Sequence, residues 1–380
     1  MLDSTAGLPA MTDAALAALQ QQVLWAALAL GLAFGAIAQR SHFCTMGALA
    51  DVVNMGDWSR MRMWVLAIGV AMLGFNAMVG LGWIKAANSL YAGPTLLWLS
   101  QTVGGLMFGF GMVLASGCGS KTLVRIGGGN LKSLVVFGVL GLSAWATLKG
   151  ITAVLRVATL DRVSLALASG QDLPSLAAEL GGTPGQRAVL IGGLLGLALV
   201  AWALARREGR SFEVLLGGLG IGALVAALWW VSGVLGHLAE HPQTLEQAFL
   251  ATNSQRMESF SFVAPLAYVL DGLVFFSDAS KHLTQGMLLV LGVVLGSAAV
   301  ALASGSFRWE GFGGVEDTAN HLVGAVLMGV GGITAIGCTI GQGLSGLSTL
   351  SVGSLIATLG IVAGALAALR WQVWRLDSQS

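Results

Sequence analysis

Charge is scarce in this chain: Asp, Glu, Lys and Arg make up 10% of its 380 residues, against about 25% in an ordinary soluble domain. The net charge is only +1, so the balance argues for neither nucleic acid nor an anionic surface as partner. Cysteine is nearly as rare. There are three, scattered and without a CxxC pair, which excludes a disulfide framework and a zinc site. No nucleotide-binding glycine loop with its lysine, no HExxH and no histidine-rich haem or metal pattern occurs, so no cofactor and no metal is expected. GGTPGQR, starting at Gly181, is a polar loop and not a phosphate cradle. A Pro/Ser linker, a low-complexity tail and a separate soluble domain are missing as well. The first 21 residues hold Asp3 and Asp13 and no basic residue. Without the positive n-region of a signal peptide, they are expected to form a mature N-terminal tail.

What the chain has instead is apolar length and glycine. It is 56% hydrophobic with 55 glycines, the latter about twice the usual share. Apolar runs of roughly 18 or more residues recur from end to end. They predict an all-α polytopic membrane protein with about nine crossings: 22–53 (broken near Ser41), 61–84, 95–117, 133–157, 186–206, 212–236, 282–306, 319–346 (broken near Cys338) and 351–371. The apolar piece 260–276 is too short to span and carries Pro265, so it reads as a re-entrant or interfacial segment. Arg60, Arg62, Lys121, Arg125, Lys132, Arg206, Arg207, Arg210, Arg308, Arg370 and Arg375 fall on one side of this layout. The positive-inside rule then puts the N-terminus outside and the C-terminus in the cytoplasm. Lys85, Arg162, Arg187 and Arg256 are exceptions, on the side that also holds the polar stretches 158–185 and 237–258.

Each cysteine sits beside glycine in or at the end of an apolar stretch: Cys44 in SHFCTMGALAD, Cys118 in LASGCGSKTLVRIGGG, Cys338 in ITAIGCTIGQGLSG. GFGMVLASGC, ending at Cys118, repeats as GVGGITAIGC, ending at Cys338, with glycines matching at Gly109 and Gly329, Gly111 and Gly331, Gly117 and Gly337. The stretch before Cys44 shares only Gly35 at the same distance from its cysteine. In the layout above one copy runs inward and the other outward. The expected organisation is therefore an inverted repeat, 22–157 and 212–371, joined by 158–211 with one crossing. Inverted repeats with broken helices near the midplane mark transporters.

A lone membrane cysteine is usually a small buried hydrophobe. Three in glycine-rich breaks are a different matter, because non-helical backbone at that depth is tolerated only where it is buried or lines a cavity. A thiol there offers a weak S–H donor, better suited to a soft sulfur anion than to phosphate. Backbone N–H groups after the cysteines, at Gly119, Ser120 and Gly341 to Gly343, can hold an anion at a helix start. With Ser116, Gly117, Gly337 and Thr339 they are the expected walls of a path. Lys121 and Arg125 lie one turn apart beyond Cys118 and serve equally as positive-inside anchors or substrate contacts. Arg40 and His42 flank Cys44, where His42 reads first as a polar group at a helix break. Asp51 reads as a solvated helix end. His237 and His241, at i, i+4, are expected in an exposed loop or short surface helix.

The segments SHFCTMGALADVV, ASGCGSKTLVRIGGG, FRWEGF at 307–312 and GCTIGQGLSGLS from Gly337 resemble the YeeE/YedE family of bacterial sulfur-compound transporters, best known for thiosulfate uptake. The resemblance runs through most of the chain. It implies an hourglass-like fold with inverted pseudo-symmetry and short helices dipping to a waist, in a bacterial inner membrane. It implies that Cys44, Cys118 and Cys338 relay thiosulfate by S–H···S contacts, and that a small TusA-like cytoplasmic sulfurtransferase is a partner. The stretches 158–185 and 237–258 make this chain long for that family, which leaves other sulfur species or selenium open as substrates. An intramembrane thiol-redox or sulfurtransferase enzyme is the alternative from another class, although it would be expected to pair its cysteines or carry a cofactor motif.

Overall fold

A computed structural model describes residues 12–278 and 282–378; most of the expected N-terminal tail, residues 1–11, lies outside them. The described chain is a stack of helices: α1 (Asp13–Arg40), α2 (Thr45–Met55), α3 (Ser59–Gly80), α4 (Trp98–Leu114), α5 (Gly119–Gly127), α6 (Leu131–Lys149), α7 (Ile151–Ala158), α8 (Leu173–Leu176), α9 (Pro184–Leu204), α10 (Phe212–Trp230), α11 (Ala264–Val274), α12 (Gln285–Ala303), α13 (Val315–Thr334) and α14 (Val352–Asp377). Among the described residues, strand is confined to two antiparallel pairs of two residues each, β1 (Thr95–Leu96) with β2 (Leu165–Ala166) and β3 (His237–Leu238) with β4 (Ala248–Phe249). Helix is what apolar surroundings demand, because it satisfies every backbone donor within the segment. On α9, Val189, Leu190, Leu194 and Leu197 are all at least half exposed, a face stable only against hydrocarbon.

Among the described residues, eight helical stretches are long and apolar enough to cross a membrane. They coincide with eight of the nine expected crossings. The ninth, 319–346, corresponds to α13, whose first turns carry Glu316, Asp317 and His321. Asp317 pairs with Lys132 at 2.9 Å and with His321 at 3.0 Å, so the helix starts four residues before the expected one and starts polar. The expected crossing 133–157 is in fact divided at Gly150, where extended backbone separates α6 from α7; Ile151, Val154 and Leu155 of α7 are exposed. The piece 260–276 forms α11, eleven residues long with Pro265 in its first turn, where the missing N–H costs nothing.

The polar stretches are ordered loops. Leu173 N donates to the Leu350 carbonyl (3.1 Å) and Val352 N to that of Gln171 (3.0 Å), tying 158–185 to the start of α14. In 237–258, of the expected exposed loop or short surface helix, the structure shows a loop closed by the β3–β4 pair; His237 faces the Gln247 amide at 2.7 Å, and no cluster able to hold a metal occurs among the described residues.

Glycine sets how closely the helices pack. Gly104 of α4 lies against the Gly331 carbonyl of α13, and Gly324 of α13 against the Gly111 carbonyl of α4; a Cβ at Gly111 or Gly324 would come within 2.7 Å of the other's oxygen. Residue numbers run oppositely along this seam, so the two helices are antiparallel. The glycine nine residues before each cysteine plays one part throughout. Gly35 abuts the Val293 carbonyl of α12, Gly109 that of Ile361 in α14, and Gly329 that of Leu140 in α6. Any Cβ there would collide with partner backbone, which explains why Gly35 survives in a stretch that otherwise resembles the other two so little.

Candidate functional site: three buried thiol corners

Each cysteine follows a helix that ends in the same way. The second residue before it is left-handed: His42 at φ 54°, Ser116 at φ 54° and Ile336 at φ 61°. The next N–H reaches back five residues, Phe43 to Ala38 (3.2 Å), Gly117 to Met112 (2.8 Å) and Gly337 to Gly332 (2.8 Å). This is the Schellman cap, normally built with glycine in the left-handed position. Here none of the three is glycine, and Ile336, β-branched, is a strained choice. The chain then turns and begins a new segment at the cysteine.

The three new segments differ. Cys44 and Cys118 are the N-caps of α2 and α5, whereas Cys338 leads into a π-helical turn, Gly341–Gly346. Cys44 Sγ accepts from Gly47 N at 3.3 Å and Cys338 Sγ from Gly341 N at 3.4 Å. The N–H groups of Phe262 and Ile340 also face Cys338. Cys118 Sγ instead lies 3.2 Å from Ser120 Oγ. A thiol that accepts through sulfur keeps its S–H proton available to another partner. All three thiols are free and buried, and Cys118 is within electrostatic reach of both Cys44 and Cys338.

Polar groups without partners cluster at these corners. Thr45 and Thr339, each next to a cysteine, are buried with hydroxyls that have no hydrogen-bond partner among the described residues; the same holds for Trp64 Nε1 and for Gln342 Oε1. Buried polar groups of this kind are normally satisfied by water or a ligand.

Of the expected wall, Gly117 packs on the Lys121 side chain and Gly119 on the Phe262 carbonyl. Gly341 lies against Ser261 Oγ and Tyr91 Oη, and Gly337 against Gln342. Lys121 is within electrostatic reach of Cys44, Cys118, Arg125 and Arg60. Asp51, expected as a solvated helix end, is instead buried and pairs with Arg60 at 3.2 Å. Arg40 and His42 are exposed; the contribution of His42 to the corner is its backbone. Sequence reasoning missed Arg60, Trp64, Tyr91, Ser261 and Phe262, which come from other segments to the residues around the thiols: Arg60 to Gly47, Trp64 to Gly343, Tyr91 and Ser261 to Gly341, and the Phe262 carbonyl to Gly119. The only local signal was Gly47, tight against Arg60. Two cavities of about 200 and 180 Å³ meet at Tyr91 and Ile336, beside the Cys338 corner.

Fold and site together define a multi-pass helical membrane protein with a chain of buried free thiols. The sulphur transport family matches residues 40–367, and the chain belongs to that family. It is similar to the thiosulfate transporter TsuA of Escherichia coli K12, 28% identical over 83% of this chain and 84% of the relative. The thiosulfate transporter TsuA of Spirochaeta thermophila is 25% identical over 90% of this chain and 97% of its own. The probable transporter YedE of Salmonella typhimurium is 32% identical over a shorter stretch, 30% of this chain and 26% of the relative. These are transporters, and the chain is one of them rather than an enzyme.

Proposed function

We propose that this protein carries thiosulfate into the cytoplasm across a bacterial inner membrane, handing it along Cys338, Cys118 and Cys44. The observation that carries the reading is the threefold corner, with one buried free thiol at each. Ser116, Gly117, Gly119, Ser120, Thr339 and Gly341 form the wall, whose backbone donors and hydroxyls replace water around the anion without a fixed charge to trap it. Lys121, with Arg125 and Arg60, draws the anion towards the Cys44 end, which the basic-residue count puts in the cytoplasm. Arg40 and His42, being exposed, belong to the rim, where a TusA-like sulfurtransferase would collect the product.

The reading includes two inverted repeats, 22–157 and 212–371, joined by 158–211. Its support is reciprocity: Gly104 meets Gly331 and Gly324 meets Gly111, while Gly109 meets Ile361 of α14 and Gly329 meets Leu140 of α6. Swapping α4 with α13 and α6 with α14 reproduces the same contacts. Uptake of radiolabelled thiosulfate into proteoliposomes tests the function. Unchanged label inside is the expected result; label on the protein, or an altered product, would favour a sulfurtransferase instead.

A further inference from the structure

The cavity of about 180 Å³ beside Cys338 has an uneven lining. Among the described residues, Arg256 is its sole fully charged side chain, set among Gln101, Gln171 and Gln342, with Tyr91 and Ile336 at the boundary with the larger cavity. Ile336 and Gln342 bracket Cys338 in the chain, two residues before and four after. The cavity therefore lies against the segment that carries Cys338, the first thiol of the proposed relay, with the thiol itself buried behind the lining. Gln342, Gln171 and Gln101 are nearly completely buried, and Gln342 Oε1 and Gln101 Oε1 have no hydrogen-bond partner.

Arg256 is held in place but not neutralised. Its neighbour Met257 is laced to the segment before the cavity, with Leu90 N donating to the Met257 carbonyl (3.0 Å) and Met257 N to that of Asn88 (2.9 Å). The guanidinium lies so close to Gly93 that a Cβ there would come within 2.8 Å of Nη1. Among the described residues no carboxylate pairs with it. It is also one of the few basic residues on the side opposite the Arg60 cluster, so the count that orients the protein does not account for it.

We propose that this cavity is the outer loading site for a sulfur oxyanion, with Arg256 as its charge-selective residue. The proposal rests on the transport reading and adds the group that grips the opposite end of the substrate. Thiosulfate has two chemically different ends, three oxygens and one terminal sulfur. The planar guanidinium fork matches two oxygens at once, which turns the sulfur towards Cys338. The open amide oxygens hold the water that a half-dehydrated dianion retains. Arg256 is itself exposed, so solvent weakens the grip enough for release. Sulfate has the oxygens and lacks the sulfur, so it binds here without moving on.

The test is uptake of labelled thiosulfate, with sulfate as competitor, by the full chain and its Arg256→Gln and Arg256→Lys variants. Arg256→Gln should raise KM about tenfold, the scale of one lost charged hydrogen-bond pair, with little change in maximal rate. It should weaken inhibition by sulfate by the same factor, with Arg256→Lys between. Equal detergent melting temperatures would confirm that the variants are folded. A KM within twofold of the parent for Arg256→Gln overturns the loading site. If the parent takes up no thiosulfate, the transport reading fails separately. The site is then read from thermal stabilisation by thiosulfate and sulfate, which must be lost in Arg256→Gln; stabilisation equal to the parent's overturns it.

Discussion

The chain leaves α4 and α13 by the same corner and then does two different things. After Cys118 it makes a nine-residue helix, GSKTLVRIG, carrying Lys121 and Arg125. After Cys338 it makes a π-helical turn, GQGLSG, with no charge and every residue buried. A common geometry thus presents the thiol, and the segment beyond it sets the electrostatics. The neutral exit is bounded by the cavity of about 180 Å³ with its one exposed arginine, and the charged exit by Lys121, Arg125 and Arg60. On the proposed reading this asymmetry sets where along the path the anion dwells, while the electrochemical gradient sets the direction of net movement.

The largest expected effect tests what the two exits share. Cys118→Ser and Cys338→Ser should each cut thiosulfate uptake per folded molecule on the order of a hundredfold, the upper range for a lost hydrogen bond to a charged group. The hydroxyl is of similar size and bonds locally to a carbonyl, so folding should survive. Cys44→Ser should lose activity too. Normal uptake by all three variants would return the thiols to the status of small buried hydrophobes.

Next in size is the packing beneath the corners. Gly35→Ala, Gly109→Ala and Gly329→Ala would each drive a methyl into the backbone of a partner helix, and overpacking of this kind costs about 1–3 kcal/mol. All three should lower the detergent melting temperature, while Gly138→Ala, with open space around it, should not. If Gly35→Ala were as harmless as Gly138→Ala, the Cys44 corner would not be built like the other two.

The two exits also differ in how far the sequence could reveal them. Hydropathy located α3, α9, α10, α12 and α14 because a lipid-facing helix has to be apolar over its whole length. It put the start of α13 four residues late, since Glu316 and Asp317 are paired by Arg375 and Lys132 of other helices and by His321 one turn further along α13. The likeness of the Cys118 and Cys338 corners was legible through their glycines. That of the Cys44 corner was nearly invisible, because of the three matched glycines only Gly35 keeps the register there. Tyr91, Ser261 and Phe262 could not be found from local spacing: they reach the Cys338 loop from segments far away in the chain.

A smaller effect sharpens the difference between the exits. Lys121→Gln should reduce uptake about tenfold, the scale of one charged contact, with protein stability near the parent's. Gln342→Lys, which puts a cation into the neutral exit, should also slow uptake, by holding the anion where release is required. Unimpaired uptake by Gln342→Lys would mean that the neutrality of the second exit has no role in transport.

The smallest effect concerns the strained corner itself. Ser116 at φ 54° holds a conformation that costs a non-glycine residue about 1 kcal/mol or more. Glycine accepts it freely, although part of the gain returns as entropy lost from the unfolded chain. Ser116→Gly should therefore stabilise the solubilised protein by under about 1 kcal/mol. Ser116→Val, β-branched in the same position, should destabilise it by a similar or larger amount. At the other corner Ile336 already carries the β-branched penalty, but its side chain also lines both outer cavities. Ile336→Gly would relieve the backbone but also remove a partly buried side chain and open the two cavities to each other, so its melting temperature should fall and discrimination of thiosulfate against sulfate should fall with it. If Ser116→Gly and Ser116→Val melted at the parent's temperature, the left-handed turn before Cys118 would not be a fixed feature of the corner. The common geometry shared by the two exits would then be lost.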